Sequence, residues 1–163
     1  MDQQLYDLAF DVGLALKARG WMMATAESCT GGWIGQALTM VPGSSEWFDR
    51  GFITYTNRAK MEMLGVAATT LEAHGAVSEQ TVKEMVKGAL ARSAAQVAVA
   101  VSGVAGPGGG SDLKPVGMVC LAWGGPGTAV EAKTLQFSGD RDAVRRHTVV
   151  AALRAILKLA QEV

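Results

Sequence analysis

The stretch MMATAESCTGGWIGQAL, residues 22–38, decides the fold class of this chain. Residues 22–26 form a short apolar run that predicts a buried strand. Apolar side chains at positions 33, 34, 37 and 38 recur at helical spacing, so a helix follows almost at once. The residues between them, 27–32, have room only for a tight turn. Strand, tight turn and helix in this order are typical of an α/β domain.

The remaining sequence continues the alternation of helices and apolar strands. We predict helices over about 5–19, 33–38, 58–64 (with Asn57 as a candidate cap), 69–73, 78–93, and from Asp140 or Asp142 to about 160. We predict strands over 22–26, 52–55, 97–101, 118–123 and 129–137, and residues 124–127 (GGPG) join the last two as a hairpin. The pattern predicts one domain over residues 1–163: a three-layer α/β/α sandwich with a mixed, mostly parallel sheet and a C-terminal β-hairpin.

The composition narrows the class of protein. Hydrophobic residues make up 49% of the chain and charged residues 18%, so a disordered chain is not expected. The 15 basic and 15 acidic residues balance, which disfavours nucleic-acid binding. The chain has no apolar run of bilayer length, no signal-peptide pattern and only two distant cysteines. We therefore expect a cytoplasmic protein with neither a membrane nor a nucleic acid as a partner.

The turn at residues 27–32 holds the first candidate for chemistry. Ser28 ends a strand just before a helix begins, which resembles in outline the nucleophile elbow of serine hydrolases, without the flanking glycines of that motif. Backbone N–H groups at the start of the helix could stabilise an oxyanion or hold a phosphate. Two alternatives stay open: Ser28 and Thr30 only cap the helix, or the neighbouring Cys29 is the nucleophile.

A serine nucleophile needs a base, and the sequence offers a lysine rather than a histidine. The two histidines, His74 and His147, lie away from any turn that resembles a site. Lys60 follows a predicted strand end and lies on the first turn of a helix, and burial there would lower its pKa toward that of a base. Tyr55, at the same strand end, could relay or orient a proton. The alternative is that Lys60 is a solvated surface charge.

A glycine-rich segment and a pair of arginines complete the candidates. Gly103 and Gly106 lie in the irregular segment 102–117, whose backbone could approach an anion, although the segment matches neither a Walker nor a dinucleotide-binding motif. Arg141 and Arg145 share one face of the last helix and could hold a phosphate. A flexible connection and an exposed charged face are the alternatives. The spacing of cysteines and histidines does not indicate a metal site.

Six segments occur in an order that resembles the CinA C-terminal domain family: AESCTGG, SSEWFDRGFITYTNRAK, HGAVSE, AVSGVAGPGGGS, KPVGMV and FSGDRDAVR. The resemblance extends over about residues 5–160. It implies an α/β/α domain that associates as a homodimer. It also implies hydrolysis of nicotinamide mononucleotide to nicotinate mononucleotide and ammonia, in the recycling of pyridine nucleotides, with neither a metal nor a cofactor.

The resemblance also implies roles for individual residues. Ser28 would be the nucleophile, Lys60 the general base and Tyr55 an assisting group. Other residues would line the substrate pocket or bind the oxyanion or phosphate: Thr30, Gly31, Gly32, Gly103, Ala105, Gly106 and Arg145. The alternative function is a non-catalytic nucleotide-binding or regulatory module, which would bind the mononucleotide without releasing ammonia.

Overall fold

The structure, a computed structural model, describes residues 1–162. Its helices are α1 (Gln3–Arg19), α2 (Trp33–Thr39), α3 (Asn57–Leu64), α4 (Ala68–His74), α5 (Glu79–Ala91) and α6 (Arg141–Gln161). Its strands are β1 (Met23–Glu27), β2 (Phe48–Ile53), β3 (Val97–Gly103), β4 (Met118–Gly124) and β5 (Glu131–Gln136). A short 3₁₀ turn, Ser44–Glu46, precedes β2.

The five strands form one sheet in the order β2-β1-β3-β4-β5. β1 pairs in parallel with both β2 and β3, whereas β4 pairs antiparallel with β3 and with β5. Within the described residues, β4 therefore runs against the direction of the other strands, and the sheet is mixed and mostly parallel. β1 and β3 lie inside the sheet with both faces covered, which explains their unbroken apolar runs.

Helices cover both faces of the sheet, as predicted. On one face α1, α2 and α6 pack against side chains such as Val97 and Val99. On the other face α3, α4 and α5 pack against Ala98 and Ala100. Successive residues of β3 thus point into opposite layers. The α/β/α sandwich is therefore confirmed, and its central strands are covered on both sides.

Two local predictions need correction. β2 begins at Phe48 and ends at Ile53, not at residues 52 and 55, because the polar stretch after Phe48 pairs with β1 at the edge of the sheet. The N-cap of α3 is Thr56 rather than Asn57, since Thr56 Oγ1 accepts a hydrogen bond from the Ala59 N–H over 3.0 Å.

The last helix begins after Asp140, whose carboxylate caps it. Among the described residues, no helix combines the length and the apolar composition needed to cross a bilayer.

Candidate active site

Ser28 and Lys60 meet at the carboxyl end of β1. Lys60 Nζ lies 2.9 Å from Ser28 Oγ. Ser28 is the first residue after β1, and its backbone N–H donates to Val101 O of the neighbouring β3 over 3.1 Å. Lys60 lies on the first turn of α3, whose start is fixed by the Thr56 cap. The structure thus brings together two side chains that the sequence separates by 32 positions.

The surroundings of Lys60 favour a neutral amine. Its side chain is 1% exposed, and Nζ donates a hydrogen bond to Thr54 O over 2.9 Å. Burial away from water lowers the pKa of Lys60 from 10.5 to about 8, and the nearby Cys29 opposes this with a smaller effect. A lysine with this pKa is partly neutral near pH 7 and can accept a proton from a hydroxyl in hydrogen-bond contact. The pair therefore has the geometry and the acidity of a nucleophile with its base.

A cleft of about 340 Å³ opens over the pair. Its wall combines the turn after β1, the start of α3, residues 76 and 77, and the glycine-rich loop after β3, with Ser28, Lys60, Tyr55, Ser102, Gly103, Ala105, Gly106 and Arg141 among its members. Tyr55 is largely exposed, and its hydroxyl oxygen accepts a hydrogen bond from Arg141 Nη2 over 3.0 Å. The same guanidinium donates to Gly106 O over 2.7 Å. Arg141 therefore ties Tyr55 to the glycine-rich loop at the mouth of the cleft.

Gly103, at the end of β3, also lines the cleft and contributes a backbone N–H group. In β3 the backbone N–H and C=O groups of the odd-numbered residues point toward β1, as the bonds from Val97 N–H to Met22 O and from Ser28 N–H to Val101 O show. The Val104 N–H bonds to Met118 O of β4, so the next N–H on the β1 side belongs to Gly103, and among residues 1–162 no hydrogen bond joins it to Ser28 O, which accepts from the Gly31 N–H. This alternation leaves the Gly103 N–H without a partner in β1. A free N–H beside a nucleophile is suited to hold an oxyanion.

Cys29 lines the same cleft but has the wrong acidity for a nucleophile. Burial raises the pKa of its thiol to about 11, and the negative charge of Glu27 adds to the shift. Since the thiolate is the reactive form, a thiol with this pKa is almost entirely unreactive near pH 7. The structure therefore favours Ser28 over Cys29.

Four predicted site residues lie elsewhere. Arg145 lies outside the cleft wall: its Nε donates to Cys29 O over 3.0 Å and its Nη2 to Thr30 O over 3.1 Å. Thr30 is fully buried, and its hydroxyl donates to the carboxylate of Glu27. Gly31 and Gly32 have positive φ angles of 60° and 102°, which let the chain turn into α2. These residues shape the turn after β1 rather than the wall of the cleft.

Sequence reasoning did not separate Arg141 from Arg145, and it missed Glu27. The two arginines share one helix face as candidates for a phosphate, and the sequence does not tell which of the two turns toward the cleft. Glu27 is marked in the sequence as a carboxylate at the end of a strand whose residues are all buried. A buried carboxylate needs hydrogen-bond donors, so it marks a local network. Among the described residues, the acidic, cysteine and histidine side chains form no group of three or more that could hold a metal ion.

The fold and the site define an α/β protein that carries a buried serine–lysine pair at the carboxyl edge of its sheet. The chain belongs to the CinA C-terminal domain family, whose profile matches residues 5–160. It is 53% identical over 157 residues to the nicotinamide-nucleotide amidohydrolase PncC of Enterobacter agglomerans, covering 96% of each chain. It is 54% identical over 155 residues to the protein of the same name from Pseudomonas putida, covering 95% of this chain and 96% of that one.

The chain is also similar to proteins of solved structure. The competence/damage inducible protein CihA from Agrobacterium tumefaciens is 48% identical in sequence and superposes with a TM-score of 0.94, over 96% of both chains.

Proposed function

We propose that this chain hydrolyses the carboxamide of nicotinamide mononucleotide, giving nicotinate mononucleotide and ammonia, with Ser28 as the nucleophile and Lys60 as its base. The contact of 2.9 Å between Lys60 Nζ and Ser28 Oγ in the open cleft carries the proposal. The names of the relatives from E. agglomerans and P. putida, which match nearly the whole chain, support the choice of substrate. Such a reaction returns the nicotinamide moiety to the pyridine nucleotide pool.

The first step is attack on the amide. Neutral Lys60 takes the hydroxyl proton while Ser28 Oγ bonds to the carboxamide carbon. The electrons of the C=O bond move to oxygen, and the free N–H of Gly103 donates to this oxyanion. Loss of one such donor costs about 3 kcal/mol of transition-state stabilisation in other hydrolases.

The second step releases ammonia and restores the serine. Protonated Lys60 gives its proton to the amide nitrogen, the C–N bond breaks, and an ester remains on Ser28. Tyr55 assists from the cleft wall, because its oxygen accepts from Arg141 and its own hydrogen is free to donate. A water then attacks the ester while Lys60 accepts one of its protons. Ser28 Oγ leaves and recovers that proton, and nicotinate mononucleotide departs as the carboxylate.

The glycine-rich loop and Arg141 supply the anion-binding part of the site. Arg141 lines the cleft, and among the described residues the N–H groups of Ala105, Gly106, Gly108 and Gly109 donate no backbone hydrogen bond. A guanidinium and free amide groups on a loop together bind a phosphate. Binding energy from the remote phosphate holds the amide against Ser28, so free nicotinamide should be a far poorer substrate than the mononucleotide.

Ammonia release tests the proposal directly. Purified protein is incubated with nicotinamide mononucleotide and a chelator, beside the variants Ser28→Ala, Lys60→Met and Cys29→Ala. We expect ammonia from the wild type and from Cys29→Ala. We expect a loss of about 10²-fold to 10⁴-fold in Lys60→Met, the usual contribution of a general base.

The other outcomes identify the rival functions. Activity that disappears in Cys29→Ala but persists in Ser28→Ala would make the thiol the nucleophile. Tight binding of the mononucleotide without ammonia from any protein would indicate a nucleotide-binding or regulatory module. Loss of ammonia on adding the chelator would contradict a mechanism that uses only the side chains of this chain.

A further inference from the structure

Glu27 is a buried charged group that the proposed reaction does not use. Its side chain is 1% exposed and directly precedes Ser28 in sequence. Since successive side chains of a strand point to opposite faces, Ser28 faces Lys60 in the α3 layer, whereas Glu27 faces the α2 layer. Glu27 therefore lies on the far side of the sheet from the reacting atoms, one peptide unit away.

The carboxylate of Glu27 holds together the whole segment that follows Ser28. Its Oε1 accepts from Thr30 Oγ1 over 2.6 Å and from the Ile34 N–H over 2.9 Å. Its Oε2 accepts from the Gly35 N–H over 3.0 Å. The Ile34 and Gly35 donors belong to the first turn of α2, where N–H groups have no partner within the helix. One side chain thus fastens both the turn and the helix to the end of β1.

Arg145 stabilises the same turn by donating hydrogen bonds to carbonyl groups of the turn. Its guanidinium donates to Cys29 O and Thr30 O and lies over the ring of Trp33, 5.5 Å from the ring centre. Glu27 accepts from the turn and Arg145 donates to it, and both act on residues directly after Ser28. The turn contains two adjacent glycines with positive φ, so without these bonds its backbone would have many accessible conformations.

We infer that Glu27 is a positioning residue for the nucleophile: through Thr30 and the start of α2 it holds Ser28 Oγ within reach of Lys60. The inference rests on the proposed function only for the reaction that is assayed, because the contacts of Glu27 do not depend on the substrate. A displacement of about 1 Å at the reacting atoms, caused by a distant change, can lower a rate about 100-fold. Glu27 therefore affects the rate of the reaction without touching the substrate.

The variant Glu27→Gln tests the inference with little change in volume. In either orientation its amide NH₂ faces a backbone N–H, that of Ile34 or that of Gly35, which can only donate, so the turn must move. We expect kcat on nicotinamide mononucleotide to fall about 100-fold, with KM within about twofold of wild type. The pH at which the rate rises should stay unchanged, because Lys60 keeps its surroundings.

Glu84 provides a matched control. Its carboxylate also holds the start of a helix, accepting from the Ala67 N–H and from Thr70 Oγ1 just before and within α4. Glu84→Gln removes bonds of the same kind away from Ser28 and should keep the wild-type kcat. A kcat that falls equally in Glu27→Gln and Glu84→Gln would show a general loss of structure and would overturn the inference.

A second pair of variants keeps the carboxylate and covers the case in which Glu27→Gln does not fold. Thr30→Val removes the hydroxyl that donates to Glu27, and Thr30→Ser retains it. We expect Thr30→Val to lose kcat and Thr30→Ser to recover most of it. Equal kcat in the two variants, or a wild-type kcat in Thr30→Val, would overturn the inference.

The rate at which a fluorophosphonate labels Ser28 separates this inference from the choice of substrate. Labelling needs the serine and its base but not the mononucleotide. Slower labelling in Glu27→Gln and Thr30→Val, with Ser28→Ala unlabelled, supports the positioning role even if no ammonia is ever released. Wild-type labelling rates in both variants would overturn it, whatever the substrate is.

Discussion

In the proposed reaction, Lys60 acts by accepting and returning a single proton. Burial lowers its pKa to about 8, and only its neutral form can accept the proton of Ser28. We therefore expect kcat/KM to rise with pH, about tenfold per unit below pH 8, and to level off above it. The sign follows from the role of the group: a base acts when deprotonated, so acid removes activity. A pH–rate profile on nicotinamide mononucleotide measures the midpoint.

The variant Lys60→Arg is the control for that profile. Arginine keeps a positive charge at all accessible pH values, so this variant should stay inactive across the range and show no rising limb. Far-UV circular dichroism at each pH verifies that the fold persists. A wild-type rate that stays flat from pH 5 to pH 8 would make a lysine base untenable.

Individual residues mark the limit of what the sequence could tell. The position of Ser28 at a strand end could be predicted, because an apolar run ends just before it, and so could that of Lys60 on the first turn of a helix. Their contact could not, since it depends on the arrangement of strands. Arg141 and Arg145 were equivalent in sequence, and only the approach of α6 to the sheet sends one to the cleft and the other to the turn. Glu27 could be identified from the sequence in principle, because it is a carboxylate at the end of a buried strand.

At the scale of elements, Arg141 joins three segments at the mouth of the cleft. It extends from the start of α6, donates to the loop at Gly106 and donates to Tyr55 after β2. We expect Arg141→Ala to lower kcat/KM for nicotinamide mononucleotide about 10-fold to 100-fold, the usual cost of a lost charged hydrogen bond. The rate on nicotinamide riboside, which lacks the phosphate, should change much less. Parallel kinetics on the two substrates measure the difference.

Arg154→Ala is the matched control for Arg141. Arg154 lies on the same helix but is exposed, far along α6 from the cleft. It should leave both substrates unaffected. Equal losses on the mononucleotide and the riboside in Arg141→Ala would assign Arg141 to holding Tyr55 and the loop rather than to the phosphate.

The elements themselves were largely predictable, with one instructive exception. β1 and β3 are inner strands, and their continuous apolar runs made them visible. β2 lies at the edge and carries Asp49, Arg50 and Gly51, so its hydrophobic signal begins only at Phe52. Its pairing with β1 starts at Phe48, and the partner strand rather than its own composition defines where it begins.

At the scale of the whole molecule, the topology determines where the cleft lies. The chain leaves β1 toward β2 on one side of the sheet and leaves β3 toward β4 on the other. The loops after β1 and β3 therefore diverge and open a crevice at the carboxyl ends of the strands, the usual ligand site of open α/β sheets. Ser28 follows β1, and Gly103 ends β3. The sequence predicted loops at strand ends, but the crevice between these two depends on the strand order.

The final prediction concerns the assembly. Resemblance to the family implies a homodimer, so light scattering should give twice the chain mass of 17.0 kDa. α1 displays Tyr6, Phe10 and Leu14 on one side, and the last two are 45% and 56% exposed. Since contiguous exposed apolar side chains mark interaction surfaces, we expect this stripe to lie in the dimer contact.

Leu14→Glu should therefore yield the monomer, whereas Leu113→Glu, at an isolated exposed position in a loop, should leave the dimer intact. A monomeric wild type would contradict the dimer, and a dimeric Leu14→Glu would place the contact elsewhere. Because the Ser28–Lys60 pair is complete within one chain, a monomeric variant should keep its kcat. Loss of activity together with loss of the dimer would mean that the partner chain contributes to the site.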